Sequence, residues 1–299
     1  MYCFIVNPVA GHGRCLRLME LLTQKLLHQN VEYEVVYTDK AGHAQALAGE
    51  AAHRGCSAVV VVGGDGTVKE AAAGLVEAGG SVPLGIIPGG TGNDYRRVLG
   101  IPLDCLEALD VILQGTRRTV DAATFNGKLF LNIGSAGFDA AVVRTTSRLK
   151  WLGALSYYAA VFLTLVGYRA RRVRLWVDDV LVQERDMLLM AAGNGCYYGG
   201  GMKALPQSQP DDGILEVCVA DGVPPWKIAA LFPQFTVGGH GRFSFVHFHR
   251  CTSVRVESLK GTFAVQTDGE VYEDVTDALF RVLPRALQVL APSAANTPM

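Results

Sequence analysis

Two glycine-rich segments carry the residues best suited to phosphate chemistry. Residues 63–67 read GGDGT and residues 88–94 read PGGTGND, and each directly follows an apolar run typical of a buried strand. Glycine lets the backbone approach a ligand closely, and the free N–H groups at the start of a helix suit a phosphate. One such turn is commonly a plain strand-to-helix connection. Two in succession, with residues 7–13 (NPVAGHG) as a third element, predict a polyphosphate site.

Three carboxylates accompany these segments: Asp65 within GGDGT, and Asp268 and Glu270 in the triplet DGE. Phosphoryl transfer needs charge neutralisation at the leaving phosphate and a carboxylate within reach of the attacking hydroxyl. An Asp-Gly pair is also a common turn, so the triplet alone is weak evidence. The residues leave open which of the three carboxylates is the base. The chain contains neither GxGxxG nor GxxxxGK[ST], which counts against a Rossmann oxidoreductase and a P-loop kinase.

The first third of the chain alternates apolar, strand-like runs with helix-like runs. Residues 59–62 are four consecutive valines, as expected for a strand buried on both faces of a parallel sheet. This rhythm predicts an N-terminal α/β domain with a doubly wound, Rossmann-like parallel sheet over residues 1–121. Both glycine segments then lie at the carboxyl ends of strands, where ligands bind in open α/β sheets.

The rhythm changes after residue 121 to short strands separated by turn signals, such as Asn126-Gly127. We expect a C-terminal, mostly antiparallel β-sandwich domain over residues 122–286 that binds the substrate. Residues 287–292 are again strand-like and could return to either domain, so residues 287–299 are an optional addition to the first.

Composition limits the partners and the compartment. The chain of 299 residues has 27 basic and 28 acidic residues and a net charge of −1, which gives no field for nucleic acid. Seven cysteines without a CxxC pair, and a start without a signal-peptide pattern, predict a cytoplasmic protein. Residues 151–168 carry no charge and are bracketed by basic residues. We expect a packed or interfacial helix there and not a membrane span, because spanning takes about 20 apolar residues.

The paired motifs GGDGT and PGGTGND resemble the signature of the superfamily that contains diacylglycerol kinases, sphingosine kinases and NAD kinases. Later segments are similar to bacterial diacylglycerol kinase-like lipid kinases: Asn194-Gly195, the triple glycine 199–201, Pro206, DDGIL at 211–215 and DGE at 268–270. The chain is thereby identified as a member of the diacylglycerol kinase catalytic-domain family over essentially its whole length.

The resemblance implies a kinase that uses ATP and Mg²⁺ to phosphorylate a hydroxyl of a lipid such as diacylglycerol, giving phosphatidic acid. It implies Glu270 as the proton acceptor, Asp268 beside it to orient it or to help bind metal, and Asp65 near the phosphate-bound Mg²⁺. The nucleotide contacts that it implies are Asn7, Gly11, Thr38, Gly63, Gly64, Asp65, Gly66, Thr67, Val68, Lys69, Glu70, Gly90, Thr91, Asn93 and Asp94.

The resemblance also implies a second, structural Mg²⁺ and two kinds of partner. The ion would be held by Asp212 and by the backbone carbonyls of Gln209 and Ile214. The partners are a lipid at a membrane surface, through transient peripheral contact, and a second copy in a homodimer. Segment 151–168, Phe138 and the loop around Trp226 are candidates for a lipid channel. Two alternatives stay open: a soluble kinase of the NAD kinase type, and a non-catalytic lipid- or nucleotide-binding module on the same fold.

Overall fold

The computed structural model describes residues 1–149 and 156–293, and the chain folds into two compact units. Unit 1 comprises Met1–Ala122, Pro210–Asp212 and the chain from Leu283 on. Unit 2 comprises Ala123–Gln209 and Gly213–Val282. The strand-like run at the C-terminal end, which the sequence left open, therefore belongs to unit 1.

Unit 1 is a parallel sheet with helices between its strands. Its strands are β1 (Tyr2–Val6), β2 (Tyr33–Tyr37), β3 (Ala58–Gly63) and β4 (Leu84–Pro88), and its helices are α1 (Arg14–His28), α2 (His43–His53), α3 (Asp65–Glu77), α4 (Asp94–Leu99) and α5 (Cys105–Gln114). The strand order is β4-β3-β1-β2, and the last strand of the chain pairs in parallel with β4 at Val289 and Leu84. The four valines of β3 are fully buried, as a strand covered on both faces requires.

Unit 2 is an antiparallel sheet packed with helices. After β5 (Arg117–Phe125), which starts in unit 1, its elements in chain order are β6 (Lys128–Phe130), β7 (Ile133–Gly137), α6 (Phe138–Arg148), α7 (Ser156–Gly167), β8 (Arg171–Val177), β9 (Val180–Gly193), β10 (Tyr197–Tyr198), β11 (Met202–Lys203), β12 (Leu215–Asp221), α8 (Pro225–Val237), β13 (Val246–Cys251), β14 (Ser253–Ser258), β15 (Phe263–Thr267), β16 (Glu270–Val275) and β17 (Asp277–Leu290), which ends in unit 1. The main order is β16-β15-β7-β9-β8-β14-β17, and β12 joins β9 to β13.

The sheet of unit 2 has a hydrophobic cluster on each side. One contains Phe125, Phe130 and Phe280 among the residues of the β-sandwich, and the other joins the sheet to α6, α7 and α8. The predicted turn at Asn126-Gly127 joins β5 to β6, and both residues have the positive φ that a tight hairpin of this kind requires.

The uncharged segment 151–168 is only partly described. Residues 151–155 lie outside the described residues, and Ser156–Gly167 forms α7, which packs on α6 and α8. Ala160 and Val161 of this helix are buried, whereas Phe162 and Leu163 are exposed. Among the described residues, no helix is long and apolar enough to cross a membrane.

Candidate active site

The two glycine segments lie side by side at the carboxyl edge of the unit 1 sheet. Strands β3 and β4 are paired up to their last residues, Gly63 and Pro88, and Gly89 N–H donates to the Gly63 carbonyl at 2.8 Å. A Cβ added to Gly90 would lie 2.5 Å from the Cα of Gly64. No side chain fits at that distance unless the backbone moves, so glycine is required where the two segments touch.

Asp65 links the two segments. It is the first residue of α3, and its Oδ1 accepts a hydrogen bond from Tyr95 N–H at 3.0 Å, in the first turn of α4. Burial raises the pKa of the Asp65 carboxyl, the Asp94 carboxylate adds to the rise, and the hydrogen bond from Tyr95 acts against it. A carboxylate held in this way is stabilised by a nearby cation, so Asp65 fits an Mg²⁺ ion beside a phosphate.

A cavity of about 560 Å³ opens beside the start of α3, within the size range of ligand pockets. On its wall, Asn7 Nδ2 donates to Thr67 Oγ1 at 2.9 Å, and Glu70 accepts from Ala44 N–H, at the start of α2, at 3.3 Å. Its lining residues are Asn7, Pro8, Val9, Ala10, Thr38, Asp39, Lys40, Ala41, Gly64, Gly66, Thr67 and Glu70. Its size and the exposed helix start suit a nucleotide with its phosphates.

The cavity brings together six of the residues predicted to contact the nucleotide: Asn7, Thr38, Gly64, Gly66, Thr67 and Glu70. The others do not line it: Gly11, Gly63, Asp65, Val68, Lys69, Gly90, Thr91, Asn93 and Asp94. Several of these shape the segments instead. Asn93 exchanges two hydrogen bonds with the backbone of Gly90, and Asp94 pairs with Arg97 at 2.5 Å.

Sequence reasoning missed Asp39 and Lys40, which also line this cavity. They come just after Thr38 at the carboxyl end of β2, so the rule that placed the glycine segments at the carboxyl ends of parallel strands could have found them. Lys40 is exposed, so its ammonium group is accessible to a ligand in the cavity.

In unit 2, Asp268 anchors the turn that carries the DGE triplet. Asp268 and Gly269 have φ angles of 48° and 88° and join β15 to β16 as a tight turn. The Asp268 carboxylate accepts from the N–H groups of Leu131 at 2.7 Å and of Asn132 and Ile133 at 3.1 Å. A carboxylate has about four lone-pair sites, so three of them are committed to the backbone. This geometry suits a positioning role better than that of a base or a metal ligand.

Glu270 begins β16 and its side chain is exposed, so a substrate can reach it. Tyr272 lies two residues further along the same strand. Burial raises the pKa of Tyr272 to about 12, and a hydrogen bond with Glu270 contributes to the rise. Of the two carboxylates on this turn, Glu270 is the accessible one.

The structural Mg²⁺ site stays a prediction. Asp212 is half-buried, and its neighbour Asp211 accepts two hydrogen bonds from the Arg118 guanidinium at 2.8 and 2.9 Å. Within the described ranges, no group of three or more His, Cys, Asp or Glu residues could hold a metal ion. That finding does not address the predicted set, which has one carboxylate and two backbone carbonyls.

A narrow apolar pocket of about 30 Å³ lies between the helices of unit 2. Its lining residues are Phe138, Asp139, Val142, Val161, Leu189, Tyr198, Ile228, Leu231 and Phe235. Phe138, a predicted lipid-channel residue, lies on its wall, whereas Trp226 is 69% exposed. Asp139 is the one acidic residue among the lining side chains in the part of the chain that the structure describes.

Comparison with known proteins finds family models and relatives that match both parts of the chain. Residues 1–125 match the diacylglycerol kinase catalytic domain, and residues 132–291 match the YegS C-terminal NAD kinase beta sandwich-like domain. A diacylglycerol kinase of Mycobacterium tuberculosis is 33% identical over 295 residues, covering 96% of this chain and 94% of that protein. A YegS-like lipid kinase of Pseudomonas aeruginosa is 34% identical over 264 residues, covering 88% and 85%.

Solved structures with a similar fold agree with these matches. A diacylglycerol kinase from Bacillus anthracis has a TM-score of 0.79 at 28% identity over 98% of both chains. An NAD kinase from Archaeoglobus fulgidus in complex with ATP has a TM-score of 0.53 at 15% identity, over 98% of this chain and 94% of that one, and shares the fold. The predicted α/β class, with a Rossmann-like domain and a β-sandwich domain, is confirmed.

A parallel α/β unit with paired glycine segments, followed by a β-sandwich unit, defines a class of kinases. The chain belongs to the diacylglycerol kinase catalytic-domain family. The relatives that the chain matches are named diacylglycerol kinase or probable lipid kinase, which supports a kinase.

Proposed function

We propose that the protein transfers the γ-phosphate of ATP, with Mg²⁺, to a hydroxyl of a lipid such as diacylglycerol, giving phosphatidic acid. The observation that carries the proposal is the contact between the two glycine segments beside a cavity of nucleotide size. Membership of a family whose relatives are named diacylglycerol kinases supports the choice of acceptor.

Each unit has its own task in this reaction. In unit 1, the start of α3 and Lys40 bind the phosphates, and Asp65 would hold Mg²⁺, which would supply positive charge to neutralise the transferred group. In unit 2, Glu270 accepts the proton of the attacking hydroxyl, and Asp268 fixes the turn from which Glu270 projects. The structural Mg²⁺ held by Asp212 with the carbonyls of Gln209 and Ile214 remains part of the proposal.

The narrow pocket between α6, α7 and α8 is our candidate site for an acyl chain, because its walls are apolar apart from Asp139 and the Tyr198 hydroxyl. Its volume of about 30 Å³ accommodates only a small group, so an acyl chain requires α7 and α8 to move apart. Such a site favours a lipid acceptor over NAD, a polar nucleotide.

Peripheral membrane contact is proposed for the outer side of the same helices. Phe162 and Leu163 of α7 are 68% and 57% exposed, and Trp226 of α8 is 69% exposed. Residues 140–177 and 222–256 together contain eleven of the 27 basic residues and none of the 28 acidic ones. Exposed apolar side chains on α7 and α8, together with an excess of basic residues in these parts of the chain, favour the surface of an anionic bilayer. The homodimer is also kept as a proposal, to be measured by analytical ultracentrifugation.

A transfer assay with γ-labelled ATP and Mg²⁺ tests the function against mixed-micelle lipids, NAD and no acceptor. The blank is Glu270→Gln, and the matched control is Glu273→Gln, an exposed glutamate on the same strand. We expect label in an extractable lipid, lost by about 100-fold or more in the blank and retained in the control. Label in NADP would instead assign a soluble kinase. No transfer to any acceptor would leave the non-catalytic module.

A further inference from the structure

A buried polar network surrounds Asp139 in unit 2. Ser135 Oγ donates to Asp139 Oδ2 at 2.6 Å, and Tyr198 OH donates to Oδ1 at 2.7 Å. Gln266 Nε2 donates to Ser135 Oγ at 2.9 Å and to Asp139 Oδ2 at 3.3 Å. Ser135, Asp139 and Gln266 are each at most 5% exposed. Because unpaired polar groups are costly in such surroundings, a network with these bonds fixes one arrangement of its members.

One end of this network reaches the turn that carries Glu270. The Gln266 Oε1 atom accepts a hydrogen bond from Gly269 N–H at 2.9 Å, and Glu270 is the next residue. Asp268 holds the other side of the turn through the backbone of residues 131–133. The orientation of Glu270 therefore depends on two anchors, of which the DGE motif itself supplies one.

The other end of the network reaches the apolar pocket. Asp139 and Tyr198 both line it, and the Tyr198 ring packs edge-on against Phe235 of α8 at a centroid distance of 6.2 Å. A continuous path of hydrogen bonds thus runs from the pocket wall to the turn, through Tyr198, Asp139, Gln266 and Gly269.

We infer that Asp139 and Gln266 are positioning residues for phosphoryl transfer, and that Tyr198 couples the wall of the acyl-chain pocket to them. The inference rests on the proposed function and deepens it. Gln266 satisfies Gly269 N–H only while its amide is held in one orientation, and the Asp139 carboxylate sets that orientation by accepting from the amide nitrogen. Because a displacement of about 1 Å can cost about 100-fold in rate, loss of this hold lowers kcat without touching the nucleotide site.

An exchange of the two side-chain types separates this role from simple core stabilisation. Asp139→Asn leaves one oxygen to accept from the three donors Ser135, Tyr198 and Gln266, and Gln266→Glu places two carboxylates side by side. The double variant Asp139→Asn/Gln266→Glu restores a donor opposite an acceptor with the direction reversed. The carboxylate at position 266 still accepts from Gly269 N–H, and the Ser135 hydroxyl rotates to donate to it.

We expect each single variant to lower kcat for the lipid about tenfold or more, while the KM for ATP changes less than about twofold. In the double variant, kcat should recover to within about threefold of the wild-type value. Hydrogen exchange at Gly269 N–H, which needs no activity, should be faster in each single variant and slow again in the double. The number of ATP-binding sites measured by titration calorimetry gives the folded fraction of each variant. Because kcat is calculated for that fraction, partial unfolding cannot be mistaken for a lower kcat.

A second pair of variants tests the link to the pocket and remains informative if the buried single variants fail to fold. Tyr198→Phe removes the hydroxyl that reaches Asp139, and Tyr197→Phe, the half-buried neighbour on β10, is its control. We expect only Tyr198→Phe to lower kcat, by about threefold to tenfold.

The inference is overturned if the double variant is no better than the worse single, if Gly269 exchanges at the wild-type rate in both singles, or if the two tyrosine variants behave alike. If the wild type phosphorylates no lipid while Gly269 exchange follows the expected pattern, the proposed function is wrong, but Asp139 and Gln266 still position the turn at Gly269.

Discussion

The two units hold their proposed site residues in different ways. In unit 1 the site is formed largely by backbone: two glycine segments 25 residues apart make a contact that leaves no room for a Cβ at Gly90. In unit 2 it depends on side chains that reach across the fold, such as Asp268, whose partners Leu131–Ile133 lie more than 130 residues earlier. The unit 1 site depends on a backbone contact and the unit 2 site on hydrogen bonds between residues distant in the chain. Substitutions should therefore disturb the two sites by different mechanisms.

The largest effect on stability should come from the long-range anchor. Asp268→Asn replaces one accepting oxygen by an NH₂ group that faces backbone N–H donors, so we expect the free energy of unfolding to fall by about 2 kcal/mol. Asp179→Asn is the matched control, because Asp179 also has a positive φ, of 63°, in the exposed turn between β8 and β9. It should change stability by less than about 0.5 kcal/mol. Equal urea midpoints for the two variants would mean that Asp268 is only a turn residue.

This contrast also explains what the sequence could predict. The glycine segments and the parallel sheet follow from local patterns and from the position of strand ends, whereas the cavity residues Asn7, Thr38 and Glu70 were implied by the family resemblance. The network of Ser135, Asp139 and Gln266 was missed, because no spacing in the chain relates residues more than 120 positions apart. The Asp-Gly pair at 268 predicted a turn, which is correct, but only the fold reveals that its carboxylate anchors a second segment.

Two glycine substitutions test the backbone contact in unit 1. Gly90→Ala forces the two segments apart, because its Cβ would lie 2.5 Å from Gly64 Cα, and should lower stability by about 1–2 kcal/mol and weaken ATP binding. Gly66→Ala has no atom within 4 Å of its Cβ and lies in α3, so it should leave stability unchanged or slightly raised. Its methyl group nevertheless enters the cavity and should weaken ATP binding.

Thermal melting and ATP titration calorimetry distinguish the two glycine variants. A melting temperature for Gly90→Ala equal to that of wild type would show that the segments can separate freely. ATP affinity unchanged in Gly66→Ala would place the phosphates elsewhere than at the start of α3.

A smaller effect is expected at the outer face of unit 2. Leu163→Glu puts a charge on the exposed apolar side of α7, and we expect binding to phosphatidylglycerol-containing vesicles to weaken about tenfold, equivalent to about 1.4 kcal/mol. Leu181→Glu changes a leucine of similar exposure, 51% against 57%, on β9 and should bind as wild type does. Vesicle sedimentation without ATP provides the measurement. Equal losses in both variants would remove α7 from the proposed membrane surface.

The smallest effect concerns how ionisation of Asp65, in contrast to Asp268, changes the stability of the fold. The pKa of Asp65 is raised in the fold, so the folded state holds the proton more tightly than the unfolded chain, and stability falls as pH rises from 3.8 towards the raised pKa. Asp65→Asn keeps an oxygen for Tyr95 N–H but cannot ionise. The variant should therefore be slightly more stable than wild type at neutral pH, equally stable below pH 3.8, and weaker in binding Mg²⁺-ATP. Urea unfolding across this pH range measures the difference. A less stable variant at neutral pH would mean that ionised Asp65 supports the fold as Asp268 does, and the contrast between a carboxylate kept for ligand binding and one kept for structure would be lost.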